Sequence, residues 1–484
     1  MADRPIRTAV IGGGMAGILS AIKLSEAGLP DLTVYEKGDR LGGTWRENTY
    51  PGLSCDVPSH LYSYSFALNP RWSHLYSPGP EIRDYFERVA DEYGVMPHVR
   101  FNDEVVSCVF DDDRWHLTTA GGVHDEVDVV IAATGVLHHP RYPDIKGLDT
   151  FAGPVFHSAR WDHDAAIDGR RLGVIGTGST AMQIVGATVD RVEALTLFQR
   201  TAQWVMPAIN PAYTPEEQAA FGEDRALMES VRTTVAEMFD HFSGGIIKAD
   251  SPEMKMIEQF CLDNLENSVT DPELRERLRP DYRAACKRLI VSTNFYEAIQ
   301  KPNAELVTAG IEAVEPAGVR TVDGARHDVD MLVLATGFHV DAFVRPVSVV
   351  GRGGIDLDDV WSARPGAYLS ISVPEFPNFF MLNGPNGPVG NFSLVEVAEL
   401  QLGYILQLVD RLRSGAAGQI SATTAALDAL EEARVEASRS TIWSTGCSSW
   451  YLDDRGVPAV WPWPFSQFRT EMAAPKWDAF DVRP

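Results

Sequence analysis

Two glycine loops of the same build, beginning at Gly12 and Gly176, constrain what this 484-residue chain can fold into more than any other feature. Around the first, the apolar run Ala9, Val10 and Ile11 reads as a buried strand. Gly12, Gly14 and Gly17 follow in G-x-G-x-x-G spacing, and an apolar stretch from Ala16 to Ala27 reads as a helix that stops at Gly28. A second strand, Leu32 to Tyr35, ends at Glu36. In such a turn the first glycine makes the tight bend, the second lets the backbone approach a pyrophosphate, and the third lets helix and strand pack closely. The helix start supplies free N–H groups and the positive end of its dipole. Glu36 stands 24 residues after Gly12, where an acid reaches ribose hydroxyls.

The arrangement then returns. Leu172, Val174 and Ile175 lead into Gly176, Gly178, Ser179, Thr180 and Ala181, a G-x-G-x-x-A variant, and the next strand runs from Ala194 to Phe198. The residue 24 places after Gly176 is now Arg200. An acid there would repel a 2′-phosphate, whereas an arginine accommodates it. The first loop is therefore expected to take FAD and the second NADPH. Two further strands, Val129 to Ala133 and Met331 to Leu334, run into Thr134-Gly135 and Thr336-Gly337. These twin A-T-G segments are expected to cross between domains.

The expected fold is α/β, with two Rossmann-like dinucleotide-binding domains. Residues 1–145 form the first part of the FAD domain. Residues 146–335 form the NADPH domain, and residues 336–484 form the rest of the FAD domain and a C-terminal tail. Within the second stretch, Thr214-Pro215-Glu216-Glu217, Ser251-Pro252-Glu253 and Asp271-Pro272-Glu273 are three helix starts. They predict a small helical insertion over about 210–279, which either shapes a substrate entrance or only elaborates the packing. Trp443, Trp450, Tyr451, Trp461 and Trp463 make the tail aromatic, as core or, for Trp450, as part of a site.

Composition removes several classes. The chain has 67 acidic and 42 basic residues, a net charge of −25. Such a surface repels phosphate backbones and anionic lipid, so neither nucleic acid nor a membrane is an expected partner. A site for a phosphate-rich cofactor must then be locally basic. No apolar run approaches the ~18 residues that span a bilayer, and the first residues carry no signal-peptide pattern. Cys55, Cys108, Cys261, Cys286 and Cys447 are scattered and odd in number. They are expected to be reduced thiols in a cytoplasmic protein, and no redox dithiol pattern suggests a disulfide reductase. A chain of this length needs no structural metal to hold its core.

The residues Phe151-Ala152-Gly153-Pro154-Val155-Phe156-His157-Ser158-Ala159-Arg160-Trp161-Asp162 match at every fixed position the fingerprint F-x-G-x-x-x-H-x-x-x-W-[PD] of type I Baeyer–Villiger monooxygenases. A second pattern of that family, [AG]-G-x-W-x-x-x-x-[FY]-P-[GM]-x-x-x-D, fits Gly42 through Asp56, with Gly43, Trp45, Tyr50, Pro51 and Gly52 at its fixed points. On these residues the chain resembles that family of class B flavoprotein monooxygenases. The resemblance implies an enzyme that consumes NADPH and O2 and converts a ketone to an ester or lactone through a C4a-peroxyflavin. It implies that Arg288 supplies the fixed positive charge this chemistry needs, that Asp56 is its partner, and that Lys287, Arg200 and Thr201 grip the 2′-phosphate. Further cofactor contacts are expected at Lys37, Trp45, Tyr62, Thr134 and Asn386. His157 is a catalytic candidate, with a hinge role between domains preferred. After Trp450 the family's Asn-x-Pro-Gly-Lys-like segment is replaced by Asp453-Asp454-Arg455-Gly456-Val457-Pro458, so tail contacts to substrate do not carry over. The alternative is an N- or S-oxidising flavin monooxygenase. Trp161 and the Asp56/Arg288 pair favour the ketone reading.

Overall fold

A computed structural model describes residues 5–390 and 392–484. Two five-stranded parallel sheets dominate it. In the first, the strand order is Phe379–Met381, Val129–Ala132, Thr8–Ile11, Leu32–Glu36, Val99–Phe101. In the second it is Val155–His157, Met331–Leu334, Arg171–Ile175, Ala194–Phe198, Ala304–Val307. The two orders are equivalent. Each glycine-loop strand lies in the middle, between its A-T-G strand and the strand that follows its helix. The central runs Thr8–Ile11, Val129–Ala132 and Met331–Leu334 are buried throughout, as continuous apolar strands of a parallel sheet covered on both faces must be.

The repeat extends to features absent from the sequence expectations. Ahead of each A-T-G strand lies an antiparallel meander: Val105–Asp111, Arg114–Thr119 and His124–Val127 in the first unit, and Ile311–Glu315, Gly318–Thr321 and Arg326–Asp328 in the second. Both glycine loops also turn against the same partner. Gly12 has φ +107, and a Cβ there would lie 2.6 Å from the Ala133 carbonyl oxygen. Gly176 has φ +121, and its Cβ would lie 2.2 Å from the Ala335 carbonyl oxygen. Only glycine meets both demands.

The first sheet is assembled from both ends of the chain, since Phe379–Met381 pairs with Val129–Ala132. The helices Pro215–Glu223, Arg225–Ile246, Pro252–Ser268 and Pro272–Leu278 begin on side-chain caps from Thr214, Asp224, Ser251 and Asp271. They do not stand apart. Val235, Ile246, Ile257 and Cys261 share one core with the first sheet's helix and with Trp443, Tyr451 and Trp461 of the tail. Arg232 donates to the carbonyls of His60, Leu61 and Ser63. Among the described residues no helix is long and apolar enough to cross a membrane.

One expectation is overturned. Cys286 and Cys447 form a disulfide, with Cα atoms 6.1 Å apart, while Cys55, Cys108 and Cys261 are free and buried. The pairing joins residues 161 positions apart, so it shows only when the chain is folded.

Two substitutions separate what the second glycine loop does for folding from what it does for binding. Gly176→Ala should lower the apparent melting temperature clearly, since a strained positive φ alone costs about 1–3 kcal/mol and the added carbon meets backbone. Gly178 has φ −75 and open space around it. Gly178→Ala should melt like the parent yet bind NADP+ more weakly, because the added methyl occupies the space a phosphate would approach. Equal melting losses for both would overturn this division.

Candidate active site at the meeting of the two nucleotide units

The helices that follow the glycine loops, Met15–Glu26 and Ser179–Thr188, start at Gly14 and Gly178. Neither start has a side-chain cap or an acid in its first turn. All four insertion helices, by contrast, are capped by their own side chains. Helix-start N–H groups need acceptors, so the two glycine-loop helices are left open for anions. A pyrophosphate fits each: Gly12, Gly14 and Gly17 frame the first start, and Gly176, Gly178, Ser179 and Thr180 the second.

Glu36 ends the second strand of the first unit and is 4% exposed. It accepts from the N–H groups of Gly13 (2.8 Å) and Gly38 (2.7 Å) and from Arg46 (2.5 Å). A carboxylate offers roughly four acceptor positions, so room for a ribose hydroxyl remains. Arg46 continues to Glu47, which pairs with Arg160 of the fingerprint segment at 2.5 Å. Trp45 lies on the short helix Thr44–Glu47 and donates through Nε1 to the Tyr62 hydroxyl at 3.3 Å. The Thr134 hydroxyl donates to Phe343 O and the Asn386 amide to Ala459 O. Lys37 is exposed beside this group.

In the second unit Thr177 Oγ1 donates to Thr201 O at 2.8 Å, fixing the turn that carries Arg200. Lys287 comes from far along the chain and rests its Nζ 4.6 Å from the Tyr282 ring centroid. Burial, opposed by Asp281 but reinforced by Arg200, pulls the Lys287 ammonium below its usual pKa. Among the described residues no carboxylate pairs with either cation within 4.0 Å. Two cations that act on each other, neither in an ion pair among the described residues, fit a phosphate dianion.

The segment from Gly42 to Asp56 joins the two units. Its start is tied to the first loop by Gly42 N–H donating to Gly13 O at 3.0 Å. Its middle rests on the second glycine helix, where the Tyr50 hydroxyl donates to Gln183 Oε1 at 2.9 Å and Gln183 donates to Ser54 O at 3.1 Å. At its end Asp56 Oδ2 receives Arg288 Nη2 at 2.6 Å and Nε at 3.1 Å. Arg288 Nη1 donates to Gly390 O at 3.1 Å. The Asp56 charge, against the cost of burial, holds the Arg288 guanidinium well above its ordinary pKa, so it stays charged.

His157 does not join this group: of the two roles expected for it, its contacts fit the link between domains better than a place in catalysis. It ends the edge strand Val155–His157 of the second sheet with no exposed surface. Its Nδ1 accepts from Ala159 N–H at 3.1 Å, so Nε2 carries the proton and donates to Gly337 O at 3.0 Å. With both ring nitrogens engaged, and burial lowering its pKa, it has no free site for a reacting proton. It ties the fingerprint to the second A-T-G segment. The fingerprint's Gly153 is packed as tightly: a Cβ there would lie 2.1 Å from Asp330 O. Trp161 packs on Phe156 at 5.0 Å. The Gly390 carbonyl, the Cys286–Cys447 bond and Tyr451 next to Arg288 were not anticipated. No local pattern signals a backbone acceptor or a contact made from the tail.

Comparison with known proteins shows the family and the fold of the chain. Residues 6–347 match the family model described as flavin-binding monooxygenase-like. An uncharacterised monooxygenase of Mycobacterium tuberculosis is 47% identical, with 100% of this chain and 97% of the relative covered. A Baeyer–Villiger monooxygenase of Streptomyces coelicolor is 40% identical over 96% of this chain and 90% of its own length. Cyclohexanone monooxygenase from Rhodococcus sp. Phi1, solved bound to NADP+, superposes with a TM-score of 0.88 at 29% identity, covering 99% of both chains.

The cation pair predicts a cofactor preference. Arg200→Ala should raise KM for NADPH by about 10- to 100-fold, the scale of one lost charge-assisted hydrogen bond of ~1.5–3 kcal/mol. KM for NADH should stay within about twofold, because NADH lacks the 2′-phosphate. Equal losses for both nucleotides in steady-state assays would reassign the loops.

Proposed function

The chain belongs to the flavin-binding monooxygenase-like family and to its Baeyer–Villiger branch, and we propose that it inserts one oxygen atom of O2 beside the carbonyl of a small-molecule ketone, giving an ester or lactone at the expense of NADPH. The Gly12 loop would hold FAD and the Gly176 loop NADPH. The observation that carries this reading is the Arg288–Asp56 pair, set where the segment that begins at the FAD loop ends against the loop that carries Lys287.

When bound, FAD supplies the oxygen activation that protein side chains cannot. The chain's own residues bind, align and hold charge. Gly12, Gly14 and Gly17 admit the FAD pyrophosphate to a helix start, and Glu36 takes the ribose. Arg200, Thr201 and Lys287 take the NADPH 2′-phosphate. Arg288 provides a permanent positive charge where negative charge develops during oxygen transfer. A fixed donor of this kind is strongest when it needs no reorganisation, and Asp56 with the Gly390 carbonyl provides that fixity. Asp56 uses one oxygen for both Arg288 bonds. The third described bond goes to a neutral carbonyl, so the guanidinium is held by only one opposing charge.

Product analysis across a ketone panel with labelled O2 tests the reaction: one labelled oxygen should appear in each ester. Oxidation of sulfides and amines alone would replace the proposal. Arg288→Ala should keep NADPH-driven flavin reduction but cut ester formation by at least ~100-fold, the usual scale for losing an electrostatic donor. Asp56→Ala should slow both stages, as the arginine loses its anchor. Wild-type rates in either variant would remove that residue from the mechanism.

A further inference from the structure

Tyr451 is 1% exposed, with its ring 5.8 Å from Trp443 and 4.3 Å from Trp450. Its hydroxyl is buried with no well-formed hydrogen bond. Leaving such a group unsatisfied is costly, so what surrounds it matters. A side chain at position 390 would place its first carbon 2.0 Å from this hydroxyl, and the Gly390 carbonyl is the group that receives Arg288 Nη1. Phenol and guanidinium thus meet over one glycine. Each perturbs the other: burial pushes the Tyr451 pKa up, and the Arg288 charge pulls against that rise. The Tyr451 hydroxyl has no hydrogen-bond partner among the described residues, and its link to Arg288 is that of a dipole beside a charge.

The tail that carries Tyr451 is fastened on two sides. Cys447 is bonded to Cys286, two residues before Arg288. Beyond the tyrosine, Ala459 N–H donates to Tyr451 O at 2.7 Å and Trp461 N–H to Gly387 O at 3.1 Å, while Asn386 donates to Ala459 O. The hydroxyl is therefore braced between the arginine loop and the loop that ends at Gly390.

We propose that Tyr451, held in place by the Cys286–Cys447 cross-link, is a positioning residue that orients the Arg288 guanidinium for oxygen transfer. The choice of a phenol has a physical reason. A second carboxylate would orient the guanidinium as well but would cancel the charge it supplies, whereas a buried neutral hydroxyl offers an oxygen dipole and leaves that charge intact. The proposal rests on the role given to Arg288 above.

Tyr451→Phe removes only the oxygen and keeps the cross-link. In the FAD-bound enzyme, the ester formed per NADPH consumed should fall by about 10-fold, the scale of one lost contact to a charged group, with KM for NADPH within about twofold. Phenylglyoxal labelling of Arg288, followed by peptide mass analysis, should proceed several-fold faster as the guanidinium loosens. Cys447→Ser should move both readouts the same way. Parental yield and labelling in Tyr451→Phe would overturn the proposal, and so would a loss of FAD content or melting temperature at parental yield, which marks a packing role only. Full ester formation by Arg288→Ala would instead overturn the reading beneath it.

Discussion

The Arg288–Asp56 ion pair is the contact through which the two halves of this protein act on one point. Its members lie 232 positions apart. One arrives on a segment fastened to the first glycine loop and laid along the second glycine helix; the other follows directly after Lys287, whose ammonium lies over the Tyr282 ring. The pair is not there for stability. Its side chains are 32% and 23% exposed, and a partly solvated ion pair contributes only about 0–1 kcal/mol. Its value is geometric: Asp56 takes the planar guanidinium through both Nε and Nη2, which restricts where its charge can act, and a charge held in one place needs less reorganisation when it is used.

That placement depends on a repeated frame. Each unit puts its glycine-loop strand beside an A-T-G strand, and each first glycine stands against the alanine carbonyl of that segment. The loop position is thus referenced to the segment that leads toward the other unit. His157 adds to this by bonding Gly337 just past the second A-T-G strand, which locks the fingerprint to the same crossing. The ion chain from Glu36 through Arg46 and Glu47 to Arg160 reaches it from the other side. The fingerprint's fixed residues therefore read as joinery between units rather than as chemistry.

What could be read in the residues alone follows from range. The strands Thr8–Ile11, Ala194–Phe198 and Met331–Leu334, and the caps Thr214, Ser251 and Asp271, are local patterns of apolar run, spacing and cap, and all lie where expected. Glu36 and Arg200 were legible because a βαβ unit converts a fixed sequence offset into a fixed place. The meanders were not, because their short alternating strands carry no spacing of that kind. Asp56 and Arg288 came only through resemblance. The Gly390 carbonyl, Tyr451 and the Cys286–Cys447 bond belong to the tail and its neighbours, where contacts join residues about 100 to 160 positions apart and no local rule connects them. The cysteines misled because an odd, scattered set looks the same whether or not two of its members meet in space.

The charge balance sharpens the assignment of the second loop. With 67 acids for 42 basic residues, a basic side chain in this protein has carboxylates to spare, and ion pairs are common over its surface. Arg200 and Lys287 nevertheless form no ion pair among the described residues, and burial, with a smaller contribution from Arg200 and against the pull of Asp281, lowers the Lys287 pKa. At physiological salt, charges more than about 8 Å away are largely screened. The overall charge of −25 therefore does not neutralise this spot from a distance, and Asp281 offsets the Lys287 charge without pairing with it. A cation pair kept open in an acid-rich chain, at the strand end where the first unit instead places Glu36, is hard to account for without a ligand that brings its own negative charge. The 2′-phosphate that separates NADPH from NADH is such a group.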